Sequence, residues 1–161
     1  NRGKKMEAGD DLVFQVELVE VMEPKSADAE AWEKYTPWNP ELPEVQKTES
    51  GLQYVVLERG DAAGESPVNG EMVAVYYEGR LVETGEMFDS AFQRGQPETF
   101  PSNRLIPGWV EALAMMKPGD RWLMYIPSDI AYGAPGTPGG PIPPNADLMF
   151  EVELLDVIKS N

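Results

Sequence analysis

The stretch LMFEVELLDV places Leu148, Phe150, Val152 and Leu154 at every second position. That period of two is the signature of a strand with one buried face, because successive side chains of extended backbone point to opposite sides. The strand follows DIAYGAPGTPGGPIPPN, Asp129 to Asn145, which packs four glycines and five prolines into seventeen residues. So punctuated a loop cannot continue either a helix or a ladder. It is predicted to be either a surface loop tied down by its prolines or a flap held over a binding site.

The strand has a counterpart near the start of the chain. GDDLVFQVELVEV (Gly9–Val21) aligns without a gap to NADLMFEVELLDV (Asn145–Val157), with Leu12, Phe14, Val16 and Leu18 at the matching positions. Identity at so many positions argues for duplication. Residues 1–24 are therefore expected to be the last strand of a preceding, similar domain. An unpaired apolar edge invites association, so Leu12–Val21 is expected to pair within its own domain or to form a homodimer by strand exchange. Residues 25–49 are rich in Pro, Glu, Lys and Ser. They are predicted to hold a short helix over Ser26–Lys34, with Ser26 as N-cap and Trp32 as anchor, and then an extended linker. Trp32, Tyr35 and Trp38 are costly to leave in water, so part of this segment is expected to pack on something.

From Ser50 the pattern changes, and residues 50–160 are expected to form one domain. GLQYVVLERG is predicted to be a strand, and GEMVAVYYEGRLVETGEMFDSA a longer strand, a turn and a short return strand. In LIPGWVEALAMMKPGD the period shifts: Trp109, Ala112, Leu113 and Met116 fall at i, i+3, i+4 and i+7. Pro107 suits a first helical turn, and Lys117-Pro118-Gly119 stops the helix. RWLMYIP alternates again. Several antiparallel strands with one short amphipathic helix make an α+β domain.

The chain has 13 basic and 28 acidic residues, a net charge of −15. A surface of that sign repels phosphate and argues against a nucleic-acid partner. There is no cysteine and no histidine. Thiolate nucleophiles, serine–histidine triads and histidine metal sites are thereby excluded, leaving carboxylates, hydroxyls, aromatics and the backbone. Tyr77, Phe88, Leu105, Ile106, Trp109, Tyr132, Ile142 and Phe150 are aromatic or apolar, and each alone is most simply core. Asp89, directly after Phe88, reads alone as a turn residue. A hydrolase built on Asp89 or Glu111 lacks a second carboxylate at a persuasive spacing.

In combination these residues resemble a known family. VAVYYEG, EMFDSA, LIPGWVEAL, DIAYG, GGPIPPN and LMFEVELLDV occur in this order from about Ser50 to Lys159. They are similar to the FKBP-type peptidyl-prolyl cis-trans isomerases, especially the bacterial, macrophage infectivity potentiator-like kind; the chain then reads as the second of two tandem repeats. The resemblance implies a five-stranded antiparallel sheet wrapped around one short helix, with an aromatic pocket between them. Tyr77, Phe88 and Phe150 would wall the pocket, with Leu105 and Ile106 beside them and Trp109 as its floor. Asp89 would polarise the rim, and Tyr132 and the backbone N–H of Ile142 would hydrogen-bond peptide carbonyls. It implies proline-containing polypeptides as substrates, macrolide inhibitors as ligands, no cofactor or metal, and, by analogy, the bacterial periplasm or outer membrane. Two features depart from the family pattern. PETFPSN carries only Phe100, aligned here with a core position, and the flap is one residue longer. A non-catalytic binding module for proline-containing or apolar segments is the alternative.

Overall fold

The computed structural model describes residues 25–68 and 70–158. The strand expected over Leu12–Val21, and with it the assignment of residues 1–24 to a preceding repeat, lies outside the described residues. Among the described residues seven strands form one antiparallel sheet: β1 (Gln46–Lys47), β2 (Gln53–Glu58), β3 (Met72–Leu81), β4 (Met87–Ser90), β5 (Glu98–Pro101), β6 (Arg121–Ile126) and β7 (Leu148–Ile158). The order across the sheet is β1-β2-β6-β7-β3-β4, and β5 also pairs with β3. The count of seven replaces the expected five for a local reason. β4 pairs with Glu78–Arg80 and β5 with Met72–Val75, so both share the edge of β3 that β7 leaves open. The interruption between them contains the one-turn helix α2 (Ala91–Arg94), capped by the Ser90 hydroxyl. With β1 a two-residue addition at the other edge, five lanes carry the sheet.

One helix packs on the inner face. It spans Pro107–Met115, with Pro107 in its first turn, and buries Trp109, Ala112 and Leu113 as the spacing predicts. Gly108 is needed because a Cβ there would come within 2.7 Å of the Ile126 side chain. Numbering in chain order, this helix is α3 and the helix over Ala29–Tyr35 is α1. Where the chain leaves α3, two backbones touch: a Cβ on Gly60 would lie 2.0 Å from the Pro118 carbonyl oxygen. Gly119 donates its N–H to the Leu154 carbonyl (2.7 Å), and Leu154 donates to that of Asp120 (3.0 Å). The Asp120 carboxylate accepts from the N–H groups of Gly60 (2.6 Å) and Lys117 (3.0 Å).

The outer face is covered as well, which corrects the expectation of one buried face for β7. Met149, Glu151 and Glu153 are buried along with Leu148, Phe150, Val152 and Leu154. Their cover is the 25–49 segment: Ala31, Trp32 and Tyr35 of α1 form a second apolar cluster with Val55, Leu123 and Met149. The cap of α1 is Asp28, whose carboxylate accepts from the Ala31 N–H at 3.1 Å, rather than Ser26. The same residue's backbone N–H donates to both oxygens of Glu151, at 3.0 and 3.1 Å. Glu151, 0% exposed, also accepts from Trp32 Nε1 (2.9 Å) and Arg121 Nη1 (2.8 Å). Arg121 Nη2 continues to Glu153 at 2.9 Å. Burial, the larger effect, pushes the Glu151 carboxyl above its ordinary range, against the pull of these donors.

Removing Arg121 leaves a buried carboxylate without its cation. Arg121→Met is expected to cost about 3 kcal/mol by urea unfolding at pH 7. A carboxyl whose folded pKa is raised contributes stability at low pH that is lost as pH rises through that pKa. Losing the cation raises it further, so the penalty should shrink as pH falls towards 4.5, the ordinary value.

Candidate functional site

A cavity of about 410 Å³ opens at the N-terminal end of α3. β3 and β7 supply its back wall, because the pairing Gly79↔Phe150 and Tyr77↔Val152 turns Tyr77 and Phe150 to the inner face. Gly79 is bare for a reason: a Cβ there would meet the Phe88 and Phe150 rings at 2.6 Å each. Those two rings close edge to face at 5.5 Å, 86°. Trp109, 4% exposed, forms the floor. Its indole meets Tyr77 at 5.4 Å and 83°, Phe100 at 6.0 Å and 82°, and Phe150 at 5.3 Å and 87°. Edge-to-face contacts of this kind satisfy the ring quadrupoles and fix each plane against its neighbour. The buried Trp109 Nε1 has no hydrogen-bond partner among the described residues.

The rim is polar and tightly wired. Asp89 accepts from the Tyr77 hydroxyl at 2.6 Å through one oxygen and from Arg94 Nη1 at 2.6 Å through the other. Arg94 Nη2 also donates to the Tyr77 oxygen, at 3.0 Å. Burial alone would raise the Asp89 pKa, but the hydrogen bonds from Tyr77 and Arg94 outweigh it and hold the carboxyl below its ordinary range. The Tyr77 phenol is pushed up to about 12, by burial first and then by the hydrogen bond to Asp89. Tyr132, 38% exposed, lines the cavity with a hydroxyl that has no partner among the described residues. Its pKa is raised by burial and by the charge of Asp89.

Eight of the nine expected residues line this one cavity: Tyr77, Phe88, Asp89, Leu105, Ile106, Trp109, Tyr132 and Phe150. Ile142 does not. Its side chain is buried in the inner core, and its N–H donates to Thr137 Oγ1 at 2.9 Å while its carbonyl accepts from the Thr137 N–H at 2.9 Å. The expected donor is thus occupied within the loop. A different one is open: Ile106, the residue before α3, lines the cavity, and its N–H has no partner among the described residues. Phe100, expected in the core, and Arg104 also line the cavity. Arg94 was not foreseen; its only local signal was a cation five residues after Asp89.

The family model described as FKBP-type peptidyl-prolyl cis-trans isomerase matches residues 63–155. The chain belongs to this family. It is 49% identical over 121 residues to the peptidyl-prolyl cis-trans isomerase Mip of Coxiella burnetii, covering 75% of this chain and 51% of that protein. To the outer membrane protein MIP of Legionella longbeachae it is 41% identical over 122 residues, covering 76% and 51%. Among solved structures, the crystal structure of a peptidyl-prolyl cis-trans isomerase from Pseudomonas syringae pv. tomato superposes with a TM-score of 0.68 at 34% identity. That match covers 84% of this chain and 99% of the other. The chain spans about half the length of the curated relatives it matches. The FKBP-like α+β fold is therefore shared.

The Tyr77 hydrogen bonds define a pH signature. A phenol raised from 10.0 to about 12 gives stability that is complete below pH 10 and is lost as pH climbs towards 12. Tyr77→Phe should cost about 1–2 kcal/mol at pH 7, and the difference from the parent chain should narrow above pH 10 in urea titrations. The same substitution should remove one late-titrating phenol from the ultraviolet difference spectrum.

Proposed function

We propose that this chain accelerates the cis–trans isomerisation of X–Pro bonds in polypeptides. The observation that carries this reading is the Trp109 indole, held flat by three aromatic edges at the floor of a cavity whose rim offers two free donors, Tyr132 Oη–H and the Ile106 N–H. Rotation about the prolyl amide meets a barrier of about 18–20 kcal/mol because resonance is lost in the twisted state. Uncatalysed exchange takes tens to hundreds of seconds. No covalent bond breaks, so neither nucleophile nor metal is required, in keeping with a chain that lacks histidine and cysteine.

A prolyl ring seated on Trp109 leaves its amide among Tyr77, Phe88 and Phe150. The planar amide carries more charge separation than the twisted one, so apolar surroundings disfavour it relative to the transition state. The Ile106 N–H and the Tyr132 hydroxyl hold flanking carbonyls while the C–N bond turns. Asp89 acts through Tyr77: with both carboxylate oxygens engaged, it fixes the ring that stands on the floor. Rate enhancement of a millionfold requires about 8 kcal/mol, within reach of desolvation, fixation and two hydrogen bonds. We assign this work to residues 50–160. Ile142 enters the reading as a packing residue of the loop, its N–H becoming available only if Thr137 lets go.

The same cavity suits macrolide inhibitors, and the name of the Legionella relative supports placing this chain in a bacterial cell envelope. A homodimer through Leu12–Val21 stays a separate proposal, tested by light scattering at high concentration.

Refolding of a proline-limited substrate protein checks the reading. The chain is expected to accelerate the slow phase in catalytic amounts. Tyr132→Phe should reduce kcat/KM about fivefold, the worth of one hydrogen bond. Trp109→Ala and Asp89→Leu should reduce it by tenfold or more. A folded parent chain that binds the substrate without changing the slow phase would instead make this a binding module.

A further inference from the structure

We propose that Arg104 makes this site select segments carrying an acidic residue next to the proline. The inference rests on the prolyl-site reading above and names the class of segment that the site prefers.

Among the cavity-lining residues two carry charge, Asp89 and Arg104. The charge on Asp89 is already met: one oxygen takes Arg94 Nη1 and the other the Tyr77 hydroxyl. Arg94 is in turn shared with Glu98, at 3.2 Å. Arg104 has no such cover. Its side chain is exposed and makes no hydrogen bond or ion pair with the described residues. Its backbone is nevertheless fixed, since its N–H donates to the Pro101 carbonyl at 3.1 Å and closes the turn from β5 into Leu105 and Ile106. A cavity-lining arginine whose guanidinium has no partner among the described residues therefore sits two residues before the free Ile106 N–H.

This cation runs against the net charge of the chain, −15. At physiological ionic strength the screening length is about 8 Å. The distant acidic surface is largely screened there, whereas a group in contact with Arg104 is not. A carboxylate beside the proline can take the planar fork of the guanidinium bidentately. An ammonium at the same place meets repulsion. Because the pair is solvent-exposed, the preference it generates is about two- to fivefold.

The test uses two series of blocked pentapeptides with Glu, Gln or Lys either just before or just after the proline. Exchange rates are read by NMR with the parent chain, Arg104→Ala and Arg104→Glu. In one series or both, the parent chain should turn over the Glu peptide about two- to fivefold faster than the Gln peptide in kcat/KM. That ratio should fall to near one in Arg104→Ala, and in Arg104→Glu the Lys peptide should become the faster substrate. It should also shrink at high salt. The same ratio in all three proteins would overturn the proposal. Where no peptide is turned over, the isomerase reading fails, and the charge preference is read separately from dissociation constants by calorimetry. Constants that follow the charge at position 104 sustain it; equal constants, or no binding, sink it.

Discussion

The pairing of β3 with β7 is the contact on which the other parts depend. It runs from Met72↔Ile158 to Leu81↔Leu148, and the alternation of strand side chains makes it a sorting device. Tyr77, Gly79, Phe150 and Val152 go to the inner face, where α3 completes the cavity. Glu78, Arg80, Met149 and Glu151 go to the outer face, where α1 lies. A slip of one residue would exchange the aromatic wall for the acidic cluster. The register also sets Glu78 directly opposite Glu151, a like-charge pair that is unfavourable by itself. The structure resolves it by giving each its own arginine, Arg80 Nε to Glu78 at 2.8 Å and Arg121 to Glu151 at 2.8 Å.

The two faces use polar groups in opposite ways. On the outer face the buried carboxylate is fully engaged: Glu151 collects a backbone N–H, an indole and a guanidinium, and Arg80 rests its own guanidinium 4.1 Å over the Trp32 ring. These converging bonds from Asp28, Trp32 and Arg121 on one carboxylate favour one docking geometry for α1. On the inner face, donors are left over at the rim while the carboxylate is neutralised. Leftover donors beside an apolar floor suit a ligand that brings its own carbonyls and an apolar ring.

What could be read in the sequence followed from local periodicity and short-range chemistry. The alternation of Leu148, Phe150, Val152 and Leu154 gave the inner face of β7, and the i, i+3, i+4, i+7 spacing from Trp109 gave the buried face of α3. The order of the motifs brought eight residues to one cavity. The outer face was hidden, because Glu151 and Glu153 occupy the positions of solvent-facing residues in an alternating strand. Their burial depends on Asp28, Trp32 and Arg121, between 30 and 123 residues away. That the Ile142 N–H is taken up by Thr137 was hidden for a shorter-range reason. Within a loop of glycines and prolines, whether Thr137 reaches back to that N–H depends on backbone turns that composition does not determine.

The contact of Gly60 with Gly119 lies at the far end of α3 from the cavity. A nine-residue helix is only about 13 Å long, and its exit is fastened to β7 by the Gly119–Leu154–Asp120 bonds. Anything pressing on Trp109 therefore pushes along a short strut that rests on two touching backbones. The floor has a hard stop behind it. The cavity should gauge the depth of a guest rigidly and adapt chiefly at its sides, where Tyr132 rides on a loop and Arg104 on a turn.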